Sequence, residues 1–438
     1  MEFLITPLLE RSEQMSKPQL LDPVRILHGS KSKVVHDAAL ITRGELVALG
    51  NDARQQAQQL GIQPKNAAHQ LLAPCLIDPH SVLQEPISGR SENLLSFCRA
   101  AAAAGYGQVA LLPRSPCSRD HPDRLQGLRA KTSDVEIHLW ANFSKSGEGT
   151  ALSCHADLLE NGALGLADDD LMIPLALIQR GLVLGEMGQA PVLFAPRDIG
   201  LQADGMVRES VEALRSGWPT DPIASETFPL RELIELHHHH PQRSLRLMNL
   251  STAAGVKMLA ECSPRPMASV SWWHLVADSS LLSPTELGWR VSPSLGNSRD
   301  RNALIQSLAD GILNAVAVHA IPLDEEDVQK PPDQRVPGLT GHQLVLPALW
   351  KELVVKRNWS VEDLWEVLSF GPSRFLNLPE EKLSTGSNRW LLFDPAESWV
   401  QDRHEASAPL AANQPWQGRN MQGRVISTGL KIQEIPCD

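Results

Sequence analysis

The sequence is poor in cysteine and has no long apolar run. Its six cysteines are scattered along 438 residues and form no CxxC pair, which favours a reducing cytosol over a disulfide-bonded secreted protein. No apolar run reaches about 18 residues, so we predict no membrane-spanning helix. The first residues carry Glu2 and no basic stretch ahead of an apolar one, which predicts no secretory signal. These features together predict a cytoplasmic protein.

Basic residues are also in deficit. The chain has 40 Lys and Arg residues against 51 Asp and Glu, which gives a formal net charge of -11. Because the phosphates of nucleic acids attract surfaces rich in Lys and Arg, this charge argues against a nucleic-acid-binding protein. It argues equally against binding to an anionic membrane surface. Hydrophobic residues make up 42% of the chain, which is enough to build a sizeable core.

The middle of the chain alternates short apolar runs with helix-like stretches. This alternation is typical of βαβ units around a parallel sheet. Eight such units predict a closed (β/α)8 barrel of the α/β class, with functional groups at the C-terminal ends of the strands. The eight apolar runs are residues 71–78, 109–113, 136–143, 163–168, 191–196, 244–250, 268–275 and 314–322.

Both ends of the chain have a different pattern. Residues 24–50 contain short, partly alternating apolar runs separated by glycine-containing turns, which predicts a β-meander. Residues 390–395 and 423–430, near the other end, are equally strand-like, and a polar, proline-containing stretch lies between them. The two ends therefore predict β-structure outside the barrel.

The most specific motif lies at the end of the first barrel run. It reads Ile77-Asp78-Pro79-His80-Ser81-Val82-Leu83-Gln84-Glu85-Pro86. This resembles the dihydroorotase signature, in which Asp-x-His-x-His is followed by an apolar residue, Arg, Glu or Asp, and Pro. Ala104-Gly105-Tyr106, Leu250-Ser251-Thr252 and Asp300-Arg301-Asn302 follow in the order of the same family. From about residue 24 to residue 430, the chain thus resembles dihydroorotases of the amidohydrolase superfamily.

The resemblance implies an architecture and an activity. It implies a barrel over residues 74–380, flanked by a small β-sandwich domain that both termini build from residues 1–73 and 381–438. It also implies hydrolysis of the C–N bond of a cyclic amide, the dihydroorotase reaction of pyrimidine biosynthesis. In the family, one or two Zn²⁺ ions activate a hydroxide and polarise the carbonyl group. Four histidines and two aspartates, with a carboxylated lysine in some branches, form that site.

The resemblance transfers these metal ligands only in part. The first histidine of the signature is His80, and the bridging aspartate corresponds to Asp169. The second histidine of the signature is replaced by Val82, the histidine after the fifth strand by Ala195, and the histidine after the sixth strand by Asn249. Zn²⁺ needs three or four N, O or S ligands, and valine and alanine side chains offer none.

Residues that would act on the substrate differ as well. The catalytic aspartate of the eighth strand corresponds to His319, and the arginine expected to bind the substrate carboxylate is Gln84. Arg114 replaces an asparagine after the second strand, where it could bind substrate or an anion, or form an ion pair with a neighbour such as Asp169. The resemblance leaves two interpretations of His80, Asp169 and His319: a mononuclear zinc site, or relics that hydrogen-bond to each other or to water.

The sequence therefore leaves two functions open. The first is a catalytically inactive dihydroorotase-like protein without a cofactor, which the resemblance pairs as a structural or assembly subunit with aspartate transcarbamoylase, the preceding enzyme of the pathway. A homo-oligomer is also compatible with this function. The second is an active dihydroorotase or related cyclic amidohydrolase that uses one zinc ion. Metal content and turnover of dihydroorotate distinguish the two functions.

Overall fold

The computed structural model describes residues 17–87, 89–114, 118–126, 134–169, 172–281 and 288–431. The strands within these ranges are, in chain order, β1 (Gln19–Ile26), β2 (Val35–Thr42), β3 (Glu45–Leu49), β4 (Pro64–Pro74), β5 (Leu76–Val82), β6 (Tyr106–Leu112), β7 (Glu136–Asn142), β8 (Gly165–Ala167), β9 (Pro191–Phe194), β10 (Val207–Arg208), β11 (Thr220–Asp221), β12 (Ser244–Leu247), β13 (Met267–Ser271), β14 (Ala315–Ala317), β15 (Trp390–Val400) and β16 (Asn420–Thr428).

Helices lie between the barrel strands and at the ends of several loops. The α-helices are Gly50–Gln59, Leu94–Ala103, Asp123–Gln126, His155–Glu160, Leu175–Leu184, Ile199–Gln202, Val211–Ser216, Ala224–His239, Ala253–Ala260, Trp273–Val276, Ser298–Ala309, Glu325–Gln329, His342–Leu349, Val361–Trp365 and Gly371–Phe375. Short 3-10 turns are Lys145–Gly147 and Ser279–Leu281, and π-helical turns are Trp350–Val355 and Glu366–Phe370. None of the helices in the described ranges combines the length and the apolarity that a membrane crossing requires.

Eight strands form the barrel that the sequence predicts. They pair in parallel in the order β5-β6-β7-β8-β9-β12-β13-β14. Every residue of β5, β6, β8, β9 and β14 is buried, as expected of a parallel sheet with both faces covered. Burial on both faces explains why β8, β9 and β14 read in the sequence as continuous apolar runs rather than as alternating patterns.

The barrel closes between β14 and β5 largely through polar side chains. The N–H of Val82 donates to the carbonyl oxygen of Ala320 at 2.7 Å. Oδ1 of Asp78 accepts the N–H of Val318 at 2.9 Å, and Oγ of Ser81 accepts the N–H of Ala320 at 2.8 Å. Because a buried main-chain N–H needs an acceptor, these two side chains take the place of ladder carbonyls at the closing seam.

Strands from both ends of the described chain form one six-stranded sheet beside the barrel. Its order is β16-β15-β4-β1-β2-β3; β1 and β4 are parallel, and the other neighbours are antiparallel. Val24, Leu72 and Trp390 belong to one of its apolar clusters, so strands from both ends bury their side chains together. This sheet is the β-structure that the terminal patterns predict.

The structure corrects two of the predicted strand runs. The run 71–78 spans two strands, because β4 ends at Pro74 and β5 begins at Leu76, and the chain passes from the sheet into the barrel at Cys75. The run 268–275 ends as a strand at Ser271, and its last residues lie in a helical turn. Apolar composition alone does not separate these cases, since all of these segments are buried. The division into domains at residues 73/74 and 380/381 stays a prediction.

Candidate functional site

Two histidines contact each other where the barrel closes. His80 lies in β5, and His319 follows β14, the strand on the other side of the seam. Their Nδ1 atoms are 3.1 Å apart, and the two rings meet edge to face. The residues are 0% and 4% exposed. One of the two facing nitrogens must donate its proton to the other, so the contact uses one N–H and one lone pair.

The second ring nitrogen of His80 is also hydrogen-bonded. Its Nε2 lies 2.8 Å from Oγ of Ser269 in β13, and the same Oγ accepts the main-chain N–H of Asn249 at 3.0 Å. Burial, followed by the nearby His319, lowers the pKa of His80 to about 3. The imidazole of His80 is therefore neutral at physiological pH, and both of its nitrogens are used inside the barrel.

Asn249 and His319 each follow a barrel strand in a left-handed backbone conformation, with φ angles of 50° and 48°. Residues with a Cβ rarely adopt this conformation, and it is concentrated at functional sites. The side chain of Asn249 is buried, and within the described part of the chain neither its Nδ2 nor its Oδ1 has a hydrogen-bond partner. The backbone is therefore strained at two positions that the family resemblance assigns to the site, at the ends of β12 and β14.

Asp169, the third residue that the sequence proposes as a metal ligand, forms an ion pair with Arg114. Nε of Arg114 donates to the two carboxylate oxygens at 2.9 and 2.8 Å, and its Nη2 lies 2.7 Å from Oδ1. This pairing is one of the alternatives that the sequence offers for Arg114. Because the guanidinium already faces a carboxylate, its charge is compensated within the protein; substrate binding by Arg114 stays a prediction.

A small cleft opens at this end of the barrel, between the ends of β9 and β12. Its lining includes Ala195 and Asn249, two positions where the family resemblance places metal-binding histidines, together with Arg197 and Glu226. The volume of the cleft is about 10 Å³, which is enough for about one water molecule. The structure therefore brings these sequence-derived positions together, but around a space much smaller than an ordinary substrate pocket.

A buried ion cluster supports the wall of this cleft. The guanidinium of Arg208, in β10, lies 3.1 Å from Oδ1 of Asp221 and 3.4 Å from Oε2 of Glu226. It also donates to the hydroxyl oxygens of Ser225 and Ser251 at 2.7 and 3.0 Å. The three charged residues are each 1% exposed. Each charge is removed from water and therefore depends on its partners.

Among the described residues, the donor groups at this end of the barrel do not fit a zinc ion. Zn²⁺ takes three or four N, O or S ligands at about 2.0–2.3 Å. Over the described ranges, no group of three or more His, Cys, Asp or Glu side chains is placed to hold a metal ion. His80 and His319 supply two imidazoles, and His80 uses both of its ring nitrogens in hydrogen bonds. Of the predicted set His80, Asp169 and His319, the structure thus brings only the two histidines together.

Similarity to known proteins identifies the family. No protein-family model matches the chain. The chain is 30% identical over 453 residues to a protein of Synechocystis sp. described as a probable dihydroorotase-like protein, and the match covers 95% of this chain and 99% of that protein. The chain belongs to the dihydroorotase family. It is also 28% identical to the dihydroorotase of Thermus aquaticus, with 89% of this chain and 92% of that enzyme covered.

Solved structures share the fold of this dihydroorotase-family chain. A D-hydantoinase superposes with a TM-score of 0.74 at 17% identity, covering 94% of both chains. The dihydropyrimidinase of Brevibacillus agri superposes with a TM-score of 0.72 at 18% identity, covering 94% of this chain and 93% of that one. At these identities the similarity shows the fold alone: the barrel with its flanking β-structure.

Sequence reasoning missed three buried polar residues of this dihydroorotase-family site. Asp78 and Ser81 form hydrogen bonds across the closing seam, and Ser269 forms a hydrogen bond with His80. All three are 0% exposed. A signal was available, because each is a polar residue within a predicted buried strand, and a buried polar group requires a partner. The sequence does not say which partner that is.

The protein should lose stability at acidic pH. Burial lowers the pKa of His80 to about 3 and that of His274 to about 4. The same groups have a pKa of about 6.5 in an unfolded chain, so below that pH the unfolded state binds more protons and is favoured. Between about pH 7.5 and pH 5.5, each group should lower the free energy of unfolding by about 1.4 kcal/mol, as measured by urea denaturation.

Two variants separate this effect from general acid sensitivity. His274→Gln should reduce the loss of unfolding free energy between the two pH values by about 1.4 kcal/mol, because glutamine does not titrate. His36→Gln makes the same substitution at an exposed position and serves as the control for the change of residue type. Equal free energies of unfolding at the two pH values in the unmodified protein would contradict the prediction.

Proposed function

We propose that this protein is a catalytically inactive member of the dihydroorotase family, and that it acts in the cytoplasm as a structural or assembly subunit with aspartate transcarbamoylase. The observation that carries the proposal is the contact between His80 and His319. An imidazole that binds zinc through one nitrogen keeps the other for an orienting hydrogen bond. Both nitrogens of His80 are already hydrogen-bonded, so it would have to break one of these bonds to bind a metal.

The packing at the positions of the missing metal ligands supports the same proposal. Val82 and Ala195 are buried and belong to one apolar cluster, together with Met248 and Ile321. Apolar packing therefore occupies positions where the family chemistry needs polar groups and a water molecule. Metal-assisted hydrolysis needs a polarised carbonyl and a hydroxide held by a carboxylate base. His319 stands at the position where the family resemblance expects an aspartate to act as that base, and it is hydrogen-bonded to His80.

Loss of the chemistry leaves the fold intact, and a fold is sufficient for subunit contacts. The eight barrel strands are all present, and the flanking sheet joins both ends of the described chain. The partner comes from the family resemblance, which links inactive dihydroorotase-like chains with aspartate transcarbamoylase. The proposal therefore separates into two claims, one about chemistry and one about assembly, that different experiments test.

The chemical claim predicts a protein that neither holds zinc nor opens dihydroorotate. The purified chain would be compared with the dihydroorotase of Thermus aquaticus, in the presence and absence of added Zn²⁺. We expect turnover at least about 10⁴-fold lower than that of the enzyme, because the activated hydroxide and its base are both missing. Metal analysis by mass spectrometry should find far less than one zinc per chain. Stoichiometric zinc together with measurable hydrolysis would overturn the claim.

The assembly claim predicts a stable complex with aspartate transcarbamoylase from the same organism. Both proteins would be purified separately, mixed, and followed by sedimentation velocity. A species heavier than either component supports the claim. Two independently sedimenting components at all concentrations would overturn it, whatever the result of the zinc and turnover measurements.

A further inference from the structure

Several large apolar side chains are exposed in one stretch of the chain, after the fifth barrel strand. Leu214 is 74% exposed, Phe228 62% and Val211 57%. Single exposed apolar residues are ordinary, whereas several that share one exposed surface mark an interaction site. We call this group the 199–228 face; its members are Ile199, Leu201, Val211, Leu214, Ile223 and Phe228, each at least 38% exposed.

Main-chain hydrogen bonds join the parts of the 199–228 face. The N–H of Asp198 donates to the carbonyl oxygen of Ser225 at 2.9 Å, and that of Glu209 donates to the carbonyl oxygen of Asp221 at 3.3 Å. The first bond places the first helix of the face beside the start of the last one. The second bond ties the intervening segment to the same place. The exposed side chains therefore belong to elements that are anchored to one another.

The exposed charges in the same segment of the chain are mainly acidic. Between residues 198 and 232, five acidic side chains and two arginines are exposed or partly exposed. The acidic residues are Asp198, Asp204, Glu209, Glu212 and Glu232, and the basic ones are Arg215 and Arg231. A second copy of this chain would bring two acidic rims together, and like charges across an interface cost free energy. A partner with a basic rim would be attracted instead.

We propose that the 199–228 face is a docking surface for a different protein, one whose apolar contact area is surrounded by Lys and Arg side chains. The inference rests on the proposed assembly function and names the surface that would carry it. The apolar centre supplies most of the affinity, whereas the charged rim sets orientation and the rate of association. The net charge of -11 adds to the attraction at longer range.

The test introduces a charge into the centre of the face. Phe228→Glu and Leu214→Glu would each be titrated with aspartate transcarbamoylase from the same organism in sedimentation-velocity experiments. We expect the dissociation constant to rise at least about 30-fold, because a buried charge without a partner opposes binding. Raising the salt concentration from about 50 to about 300 mM should weaken binding of the unmodified chain, since salt screens the rim.

Matched controls place the same charge elsewhere. Leu60 and Val355 are each 63% exposed and lie outside the face. Leu60→Glu and Val355→Glu should bind with a dissociation constant within about threefold of the unmodified chain, because they lie outside the docking surface. All four variants replace exposed side chains, so equal melting temperatures confirm that differences in binding do not come from unfolding.

Each other outcome is decisive. A complex that forms equally well with the face variants overturns the docking surface and leaves the proposed assembly function standing. Failure of the unmodified chain to form a complex overturns both. Self-association of the unmodified chain that Phe228→Glu abolishes would show that the face binds a second copy, and it would overturn the partner with a basic rim. A dissociation constant that does not change with salt concentration would also overturn the partner with a basic rim.

Discussion

Replacing Arg208 with methionine should lower the free energy of unfolding by about 3–5 kcal/mol, the usual cost of leaving buried charges without their partner. Arg208 lies within 3.4 Å of carboxylate oxygens of both Asp221 and Glu226, and all three residues are 1% exposed. Methionine fills a similar volume but leaves two carboxylates in a poorly hydrated place. Guanidinium chloride unfolding near neutral pH measures the difference.

Two further variants show whether the uncompensated charge is the cause. The double variant Arg208→Met and Asp221→Asn removes one of the two uncompensated carboxylates and should recover part of the lost stability, because Oδ2 of Asp221 accepts no hydrogen bond that an amide would lose. Glu226 is kept, because each of its carboxylate oxygens accepts a main-chain N–H. Arg215→Met replaces an exposed arginine and should change the free energy of unfolding by less than about 0.5 kcal/mol. A loss below about 1 kcal/mol for Arg208→Met would mean that the cluster does not stabilise this wall of the barrel.

Asp78→Ala should destabilise the protein by about 3–5 kcal/mol, because it removes the acceptor of three buried donors. Oδ1 accepts the N–H of Val318 at 2.9 Å. Oδ2 accepts the hydroxyl of Ser81 and lies 3.2 Å from Nε2 of His342. Each buried donor without a partner costs about 1–3 kcal/mol. Chemical denaturation measures the loss, and hydrogen exchange at β5 and β14 should show where it occurs.

The matched change at this position is Asp78→Asn. Asparagine keeps the shape and one acceptor oxygen, so about half of the loss is expected to disappear. Asp204→Ala removes an exposed carboxylate and should be nearly neutral. If Asp78→Ala and Asp204→Ala had the same small effect, closure of the barrel would not depend on the Asp78 side chain.

The barrel could be predicted from the sequence because its strands are buried on both faces. A buried strand appears in the sequence as an apolar run, such as 109–113 or 191–196. The intervening helices appear as apolar residues with a helical spacing. The boundary at Cys75 could not be predicted in this way. Two buried strands meet there with a single residue between them, and the apolar composition is the same on both sides.

The site could be predicted only in part. In a closed barrel the first and last strands are neighbours, so His80 and His319 could be expected to lie close together. The contact between their Nδ1 atoms and the bond to Ser269 depend on side-chain orientation, which no spacing in the sequence specifies. The ion pair of Asp169 with Arg114 could not be predicted from sequence spacing either, because the two residues are 55 positions apart.

The sequence by itself determined the periodic pattern of strands and helices, the family, and the absence of imidazoles at Val82 and Ala195, since each of these depends on residue type and order. The tertiary structure decided what the remaining polar residues do. Hydrogen bonds and ion pairs in the interior join residues far apart in the chain, as between Asp78 and Val318 or Arg208 and Glu226. Their geometry comes from packing, because a buried polar group must take whichever partner the fold brings within reach.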